Sequence, residues 1–138
     1  MRIVLDTNIL VSACWKPEGL EARVAGMAAT GEVVACISPA VLAEYRDVLS
    51  RAKLAAVHAR SGELLAALER NAVVVQPVDR IVASVDDDDN RFLECAEAAG
   101  ADFLITGNLR HYPATSGVTR VVNARAFLES AGTGPAVP

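Results

Sequence analysis

Asp6, Glu44 and Asp89 are the side chains of this 138-residue chain whose types and positions best fit chemistry, and that chemistry is the binding of a divalent cation. Asp6 follows the apolar run Ile3 to Leu5, which reads as a short buried strand, and precedes Thr7, Asn8 and a second apolar run, Ile9 to Val11. In open parallel sheets, ligands bind in the crevice outside the carboxyl ends of the strands. Asp6 therefore stands where a metal- or phosphate-handling carboxylate belongs. By itself it reads first as a cap, favoured by the unpaired N–H groups and dipole of the helix that follows. The other carboxylates must decide.

Glu44 lies on the edge of an apolar helical stripe. At about 100° per residue, Val41, Tyr45, Val48 and Ala52 form one face, with Leu42 and Leu49 beside it and Arg46, Asp47 and Ser50 opposite. A carboxylate beside a core stripe needs a partner, because burying an unpaired charge is costly. That partner is either an arginine at the helix margin or a bound ion. In the run Asp86-Asp87-Asp88-Asp89, Asp86 and Asp87 read as a solvated first helical turn. Asp89 differs, since on a helix through Phe92, Leu93 and Ala96 it projects inward between Phe92 and Leu93.

Thr106-Gly107-Asn108 directly follows the apolar run Phe103–Ile105. It puts polar side chains at a strand's carboxyl end, with Gly107 permitting close backbone approach. If the first, second and fourth strands are neighbours, Asp6, Glu44, Asp89 and Asn108 meet in one pocket. Oxygen ligands without Cys or His favour Mg2+ or Mn2+. Such an ion polarises a phosphodiester and lowers the pKa of an attacking water, as in metal-dependent nucleases.

The elements that must position these groups alternate. Strands are expected over Ile3–Leu5, Val33–Ile37, Val73–Val75, Phe103–Ile105 and Val118–Val122. Helices are expected from Thr7 to about Cys14 and from Leu20 to Thr30, where Gly31 ends the second. Ser38-Pro39 starts another, running to about Ser50, and further helical segments fill 52–71. A loop from Val78 to Asp88 leads into a helix ending near Gly100, and a last helix spans Ala124 to Ser130. Continuously apolar strands alternating with helices indicate a parallel sheet covered on both faces. The expectation is a single three-layer α/β domain over residues 1–130, with 131–138 as a flexible tail.

The length suits one domain with a real core. A composition of 52% hydrophobic and 22% charged residues excludes disorder for all but the ends. With aromatics at only 4%, that core must be built from Ala, Val, Leu and Ile. No apolar stretch approaches the roughly 18 residues that span a bilayer, and no secretory leader opens the chain, so a cytoplasmic location is expected. Cys14, Cys36 and Cys95, odd in number and in no CxxC arrangement, fit buried reduced thiols. The net charge of −4 argues against a broad basic surface for nucleic acid, although site carboxylates contribute to it and divalent cations offset them locally. The Ala- and Val-rich face from Val24 to Ala28 suits either a dimer interface or core packing.

Four segments of this sequence, VLDTNILVSA, SPAVLAEYRDVLSR, DDDDNRFLECAEAAGADFLITGN and RVVNARAFLE, resemble the PIN-domain family. The likeness is closest to the toxin-like (VapC-like) PIN ribonucleases of prokaryotic toxin–antitoxin systems, and it extends from Arg2 to about Glu129. By position, the resemblance makes Asp6, Glu44 and Asp89 the metal ligands, and Asn108 takes the place of the fourth acidic group. Asn8 and Thr106 match polar positions that support the ligands or the attacking water. The implied fold is a five-stranded parallel sheet in the order 3-2-1-4-5. The implied activity is Mg2+- or Mn2+-dependent endonucleolytic cleavage of RNA, by a protein that dimerises and is silenced by a small antitoxin. One departure is that Asn108 brings no charge, and His111 stands where many relatives carry an aspartate, which weakens the case for a second metal. Lys16, Arg110 and His111 lie on loops expected to flank the crevice, either as contacts to RNA phosphates or as ordinary solvated surface charges. Asp102, at the opposite end of its strand, reads as structural.

Two other readings are weaker. A haloacid-dehalogenase-like Mg2+-dependent phosphatase expects a second aspartate two residues after the first, where Asn8 stands; a receiver domain lacks its acidic pair and its late lysine. A degenerate PIN domain that binds RNA or protein without cutting has support only from Asn108.

Overall fold

Leu5 and Ile105 lie side by side in register, and that pairing brings Asp6 next to Thr106. The structure, a computed structural model, describes residues 1–84 and 86–131; the expected tail lies outside the described residues apart from Ala131. Its strands are β1 (Arg2–Leu5), β2 (Val34–Ile37), β3 (Val73–Val74), β4 (Phe103–Ile105), β5 (Thr115–Ser116) and β6 (Thr119–Val122). Its helices are α1 (Thr7–Trp15), α2 (Leu20–Ala29), α3 (Pro39–Leu49), α4 (His58–Asn71), α5 (Asp87–Ala99) and α6 (Ala124–Ser130). Short 3-10 turns occupy Ala52–Val57 and Leu109–His111.

The sheet order is β3-β2-β1-β4-β6-β5. Its first five strands are parallel, in the expected order. The sixth is a correction: β5 pairs antiparallel with β6, so the sheet is neither five-stranded nor wholly parallel. Gly117, at φ 59, opens a two-residue turn that folds Thr115 and Ser116 back onto β6. A glycine at the first central position of a hairpin turn does this readily. Ile3, Val4 and Leu5 are all buried, as are Phe103, Leu104 and Ile105, which requires cover on both faces of the sheet. Helix α5 packs over β1, β2 and β4, while α1, α2 and α4 pack with one another and α6 joins through α2.

Local chemistry sets the helix ends as expected. Ser38 accepts a hydrogen bond from the Val41 N–H at 3.1 Å with Pro39 in the first turn, and Asn123 caps α6 from the Ala126 N–H at 2.8 Å. Gly100 ends α5 in the left-handed conformation, at φ 59. Helix α3 buries Val41, Tyr45 and Leu49, and Ala52 is exposed beyond its end rather than part of that face. Val24, Ala25, Met27 and Ala28 are buried within the fold, so core packing rather than a dimer interface accounts for that apolar run. Cys14, Cys36 and Cys95 are free and buried, and burial pushes the Cys95 thiol up to about 12, leaving it unsuited to act as a nucleophile. No helix among the described residues is long and apolar enough to cross a membrane.

Candidate metal centre

Because β2 and β4 flank β1 on opposite sides, the chain reverses its direction of sheet-building at β1. That reversal opens a crevice at the strands' carboxyl ends. Asp6 sits there, 6% exposed, with its N–H bonded to the Ile105 carbonyl at 2.9 Å. It holds the N-cap position of α1, yet its side chain makes no cap hydrogen bond. The Thr7 and Asn8 backbone N–H groups still favour its charged form, but its well-formed side-chain hydrogen bonds go to other partners.

Three side chains converge on its Oδ2 atom. The Thr106 hydroxyl donates at 2.8 Å, the Tyr112 hydroxyl at 3.0 Å and the Asn8 amide at 3.4 Å. Asn8 is itself fixed, because its Oδ1 accepts from the Gly107 N–H at 2.9 Å. A Cβ at Gly107 would lie 3.4 Å from that same oxygen, so the glycine admits the close approach expected of it. Thr106 is fully buried, and its hydroxyl also accepts from the Asn108 N–H at 3.0 Å. It also receives the Asn8 amide at 3.5 Å, so it is a positioning residue for Asp6 whose donor and acceptor sites are taken within the protein. Among the described residues, Oδ1 of Asp6 is claimed by no side chain.

Tyr112 escaped the sequence reading, and Tyr45 was read there only as part of an apolar helix face. Tyr45, buried in α3, donates at 2.6 Å to the Leu5 carbonyl, just before Asp6, and its ring packs against Phe92 of α5. A buried tyrosine hydroxyl always needs a partner. Their scarcity in a chain with two tyrosines was the one available signal.

Asp89 is turned inward, as expected, with its side chain 14% exposed and Oδ2 3.3 Å from His111 Nδ1. Glu44 is half-buried on the same side of α3 as expected, and forms no ion pair among the described residues. All three carboxyls have raised pKa values. For Asp6 the cause is burial, opposed by the Thr106 and Tyr112 hydroxyls. For Asp89 burial leads, followed by the charges of Asp6 and Asp86, with His111 opposing. For Glu44 burial again leads, reinforced by Asp88, Asp47 and Asp6 and opposed by Arg51. Asp6 is thus felt by both other carboxyls, and the carboxylates outnumber the groups that oppose them, Arg51 and His111.

That imbalance fits a cation. Asp89 Oδ2 is buried with no well-formed hydrogen bond, and the group that faces it is the His111 imidazole at 3.3 Å. As they stand, the three carboxylates do not form a tight trio. Among the described residues, the ligand atoms that gather within 4.8 Å of one another are those of Asp86, Asp89 and His111. Asp86 also caps α5, accepting from the Asp88 N–H at 3.0 Å, and Asp87 pairs with Arg91 at 3.2 Å, so both fill the helix-turn role expected of them. Asp102 is structural as expected, accepting from the Arg2 N–H at 2.9 Å.

The remaining residues divide. Asn108 is exposed, at the edge of the crevice, and precedes the turn that carries Arg110 and His111. Lys16 is a correction: it stands past the far end of nine-residue α1, about 14 Å of helix away from Asp6, so it does not flank the crevice.

Replacing Tyr112 with Phe keeps the ring and removes one of the three donors to Asp6. Hydrogen bonds to a charged group contribute about 1.5–3 kcal/mol, and this one favours the carboxylate. The Asp6 carboxyl in Tyr112→Phe should therefore titrate at a higher pH than in the parent, followed by carbon NMR of the side-chain carboxyl. An unmoved midpoint would show that the tyrosine merely fills space.

Comparison with known proteins places this geometry in context. A family model described as "PIN domain" matches residues 2–110. The uncharacterized protein MJ1680 of Methanocaldococcus jannaschii is 26% identical over 111 residues, covering 78% of this chain and 71% of its own. A chain in the crystal structure of VapBC2 from Rickettsia felis, bound to a DNA fragment from their promoter, superposes with a TM-score of 0.58 at 19% identity. The match covers 88% of this chain and 98% of that one.

Proposed function

Because the chain belongs to the PIN-domain family, we propose that it is a Mg2+- or Mn2+-dependent endoribonuclease, the toxin of a toxin–antitoxin pair. The observation that carries this reading is the clamp on Asp6: three donors seize one carboxylate oxygen and leave the other available, within electrostatic reach of Asp89 and Glu44. Asp6, Glu44 and Asp89 would hold the cation. When bound, it supplies Lewis acidity toward a phosphodiester and acidifies a water.

The chain's own residues do the rest. Thr106, Tyr112 and Asn8 fix the Asp6 carboxylate before any ligand arrives, so little reorganisation is left for the reaction. Asn108, at the rim, offers an amide to a water or a phosphate oxygen. Arg110, on the same turn, is placed to meet the RNA backbone by charge. As a toxin of this kind it would have a small antitoxin as partner, a cytoplasmic site of action and a homodimeric assembly.

The test is incubation of the purified chain with a panel of structured and single-stranded RNAs, in Mg2+, in Mn2+ and in chelator. Cutting that requires either metal is the expected result. Folded, metal-binding protein that cuts none of them would instead identify a binding module.

A further inference from the structure

The side chains of Asp86, Asp89 and His111 make a ligand set of their own, and we propose that it binds a divalent transition metal of the Zn2+ or Co2+ class, at a site that shares Asp89 with the carboxylate pocket. The inference rests on Asp89 facing a cation, as in the proposed function, but not on RNA cleavage.

One ligand atom from each of the three lies within 4.8 Å of the other two. The Asp89 Oδ2 to His111 Nδ1 separation is 3.3 Å. Around an ion with bonds near 2.1 Å, neighbouring ligands stand about 3.0 Å apart in an octahedron and about 3.4 Å apart in a tetrahedron. The observed spacing falls between those values. Asp89 Oδ2 is buried with no well-formed hydrogen bond, and its contact with His111 at 3.3 Å already brings the two ligand atoms together. Asp86 uses Oδ1 to cap α5 and keeps its second oxygen for a ligand. An imidazole nitrogen beside two carboxylates moves the preference from Mg2+ toward metals that accept nitrogen.

The three ligands come from segments tied together from beneath. Asn90, 1% exposed, accepts from the Ser84 N–H at 2.8 Å and returns an N–H to the Ser84 carbonyl at 3.4 Å. The Ser84 hydroxyl donates to the His111 carbonyl and accepts from the Asp86 N–H at 3.3 Å. One buried Asn–Ser pair thus joins the loop bearing Asp86, the helix bearing Asp89 and the turn bearing His111. Hydrogen-bonded supports of this kind are what orient the ligands of a metal site.

Calorimetric titration of the full chain with Zn2+, and separately with Mg2+, tests the site in the parent and in His111→Ala, Asp86→Asn and Asp6→Asn. Asparagine keeps the cap at position 86. His111→Ala and Asp86→Asn should each weaken Zn2+ binding by about 10-fold or more, with a smaller change for Mg2+. Asp6→Asn should weaken Mg2+ and spare Zn2+. His58 and His111 are the two histidines, so nitrogen NMR of the imidazoles reads the ligand directly, and Zn2+ should shift His111 alone. Zn2+ binding indifferent to His111→Ala, or lost only in Asp6→Asn, overturns the site and leaves the proposed function standing. His111-dependent Zn2+ binding by a protein that cuts no RNA supports the site and removes the nuclease reading.

Discussion

Asp6→Asn is expected to lower metal-dependent RNA cleavage by about 10³-fold or more, the scale of losing several kcal/mol of metal-assisted catalysis. The clamp explains why so small a change should cost so much. Thr106, Tyr112 and Asn8 all donate to the position of Oδ2. In the variant only the amide oxygen can accept there. The amide NH2 is then forced into the place of Oδ1, where it points N–H bonds at the cation's position. The substitution therefore removes a charge and also installs a donor where an acceptor is needed. The fold should not suffer, because a neutral amide escapes the burial cost that raises the Asp6 pKa. Cleavage rates and thermal unfolding, measured side by side, check both halves. A variant cutting within tenfold of the parent would remove Asp6 from the site.

The second large effect is on stability, and its sign is set by the same carboxyls. Asp6, Glu44 and Asp89 all have folded pKa values above their ordinary ones of 3.8, 4.5 and 3.8. Between the ordinary and the raised value, the folded state binds more protons than the unfolded state. Stability must then fall as pH rises through that interval, and the loss is complete above the raised values. The metal-free protein should therefore melt at a higher temperature near pH 4, where the interval begins, than near pH 7. A divalent cation bound only by the folded state reverses the loss at neutral pH, by about 2.7 kcal/mol at a hundred times its Kd. For a chain of this size that is roughly 10 °C in Tm. Chelator should erase the gain, and the gain should shrink as pH is lowered. A melting temperature indifferent to metal at pH 7 would contradict a cation site among these groups.

How much of this was legible in the sequence depended on how local the signal was. The strand ending at Asp6, the Ser38-Pro39 helix start and the strand before Thr106 are local statements, written in consecutive residues. The structure has each where it was expected. Asp89 could be aimed inward by helical periodicity alone. Tyr112 could not be assigned to Asp6, because its bond spans 106 positions and depends on how the turn after β4 folds back. Ser84 and Asn90 read as ordinary polar residues, and only burial shows them to be a tether. Strand β5 was hidden by its length, since two residues carry no periodicity. Lys16 was misplaced because adjacency in sequence was taken for adjacency to the crevice, and a helix nine residues long intervenes.

A ribosome adds Asp6 well before two of the three groups that clamp it, Thr106 and Tyr112, which lie 100 and 106 positions later. Until β4 closes against β1 and the following turn folds back, the carboxylate has no fixed oxygen to offer. A nascent chain is thus unarmed from the emergence of Asp6 until that of Tyr112, and its competence to hold an ion arrives in one step. For a protein that would attack RNA, that order of events keeps the partly made chain harmless to the message that encodes it.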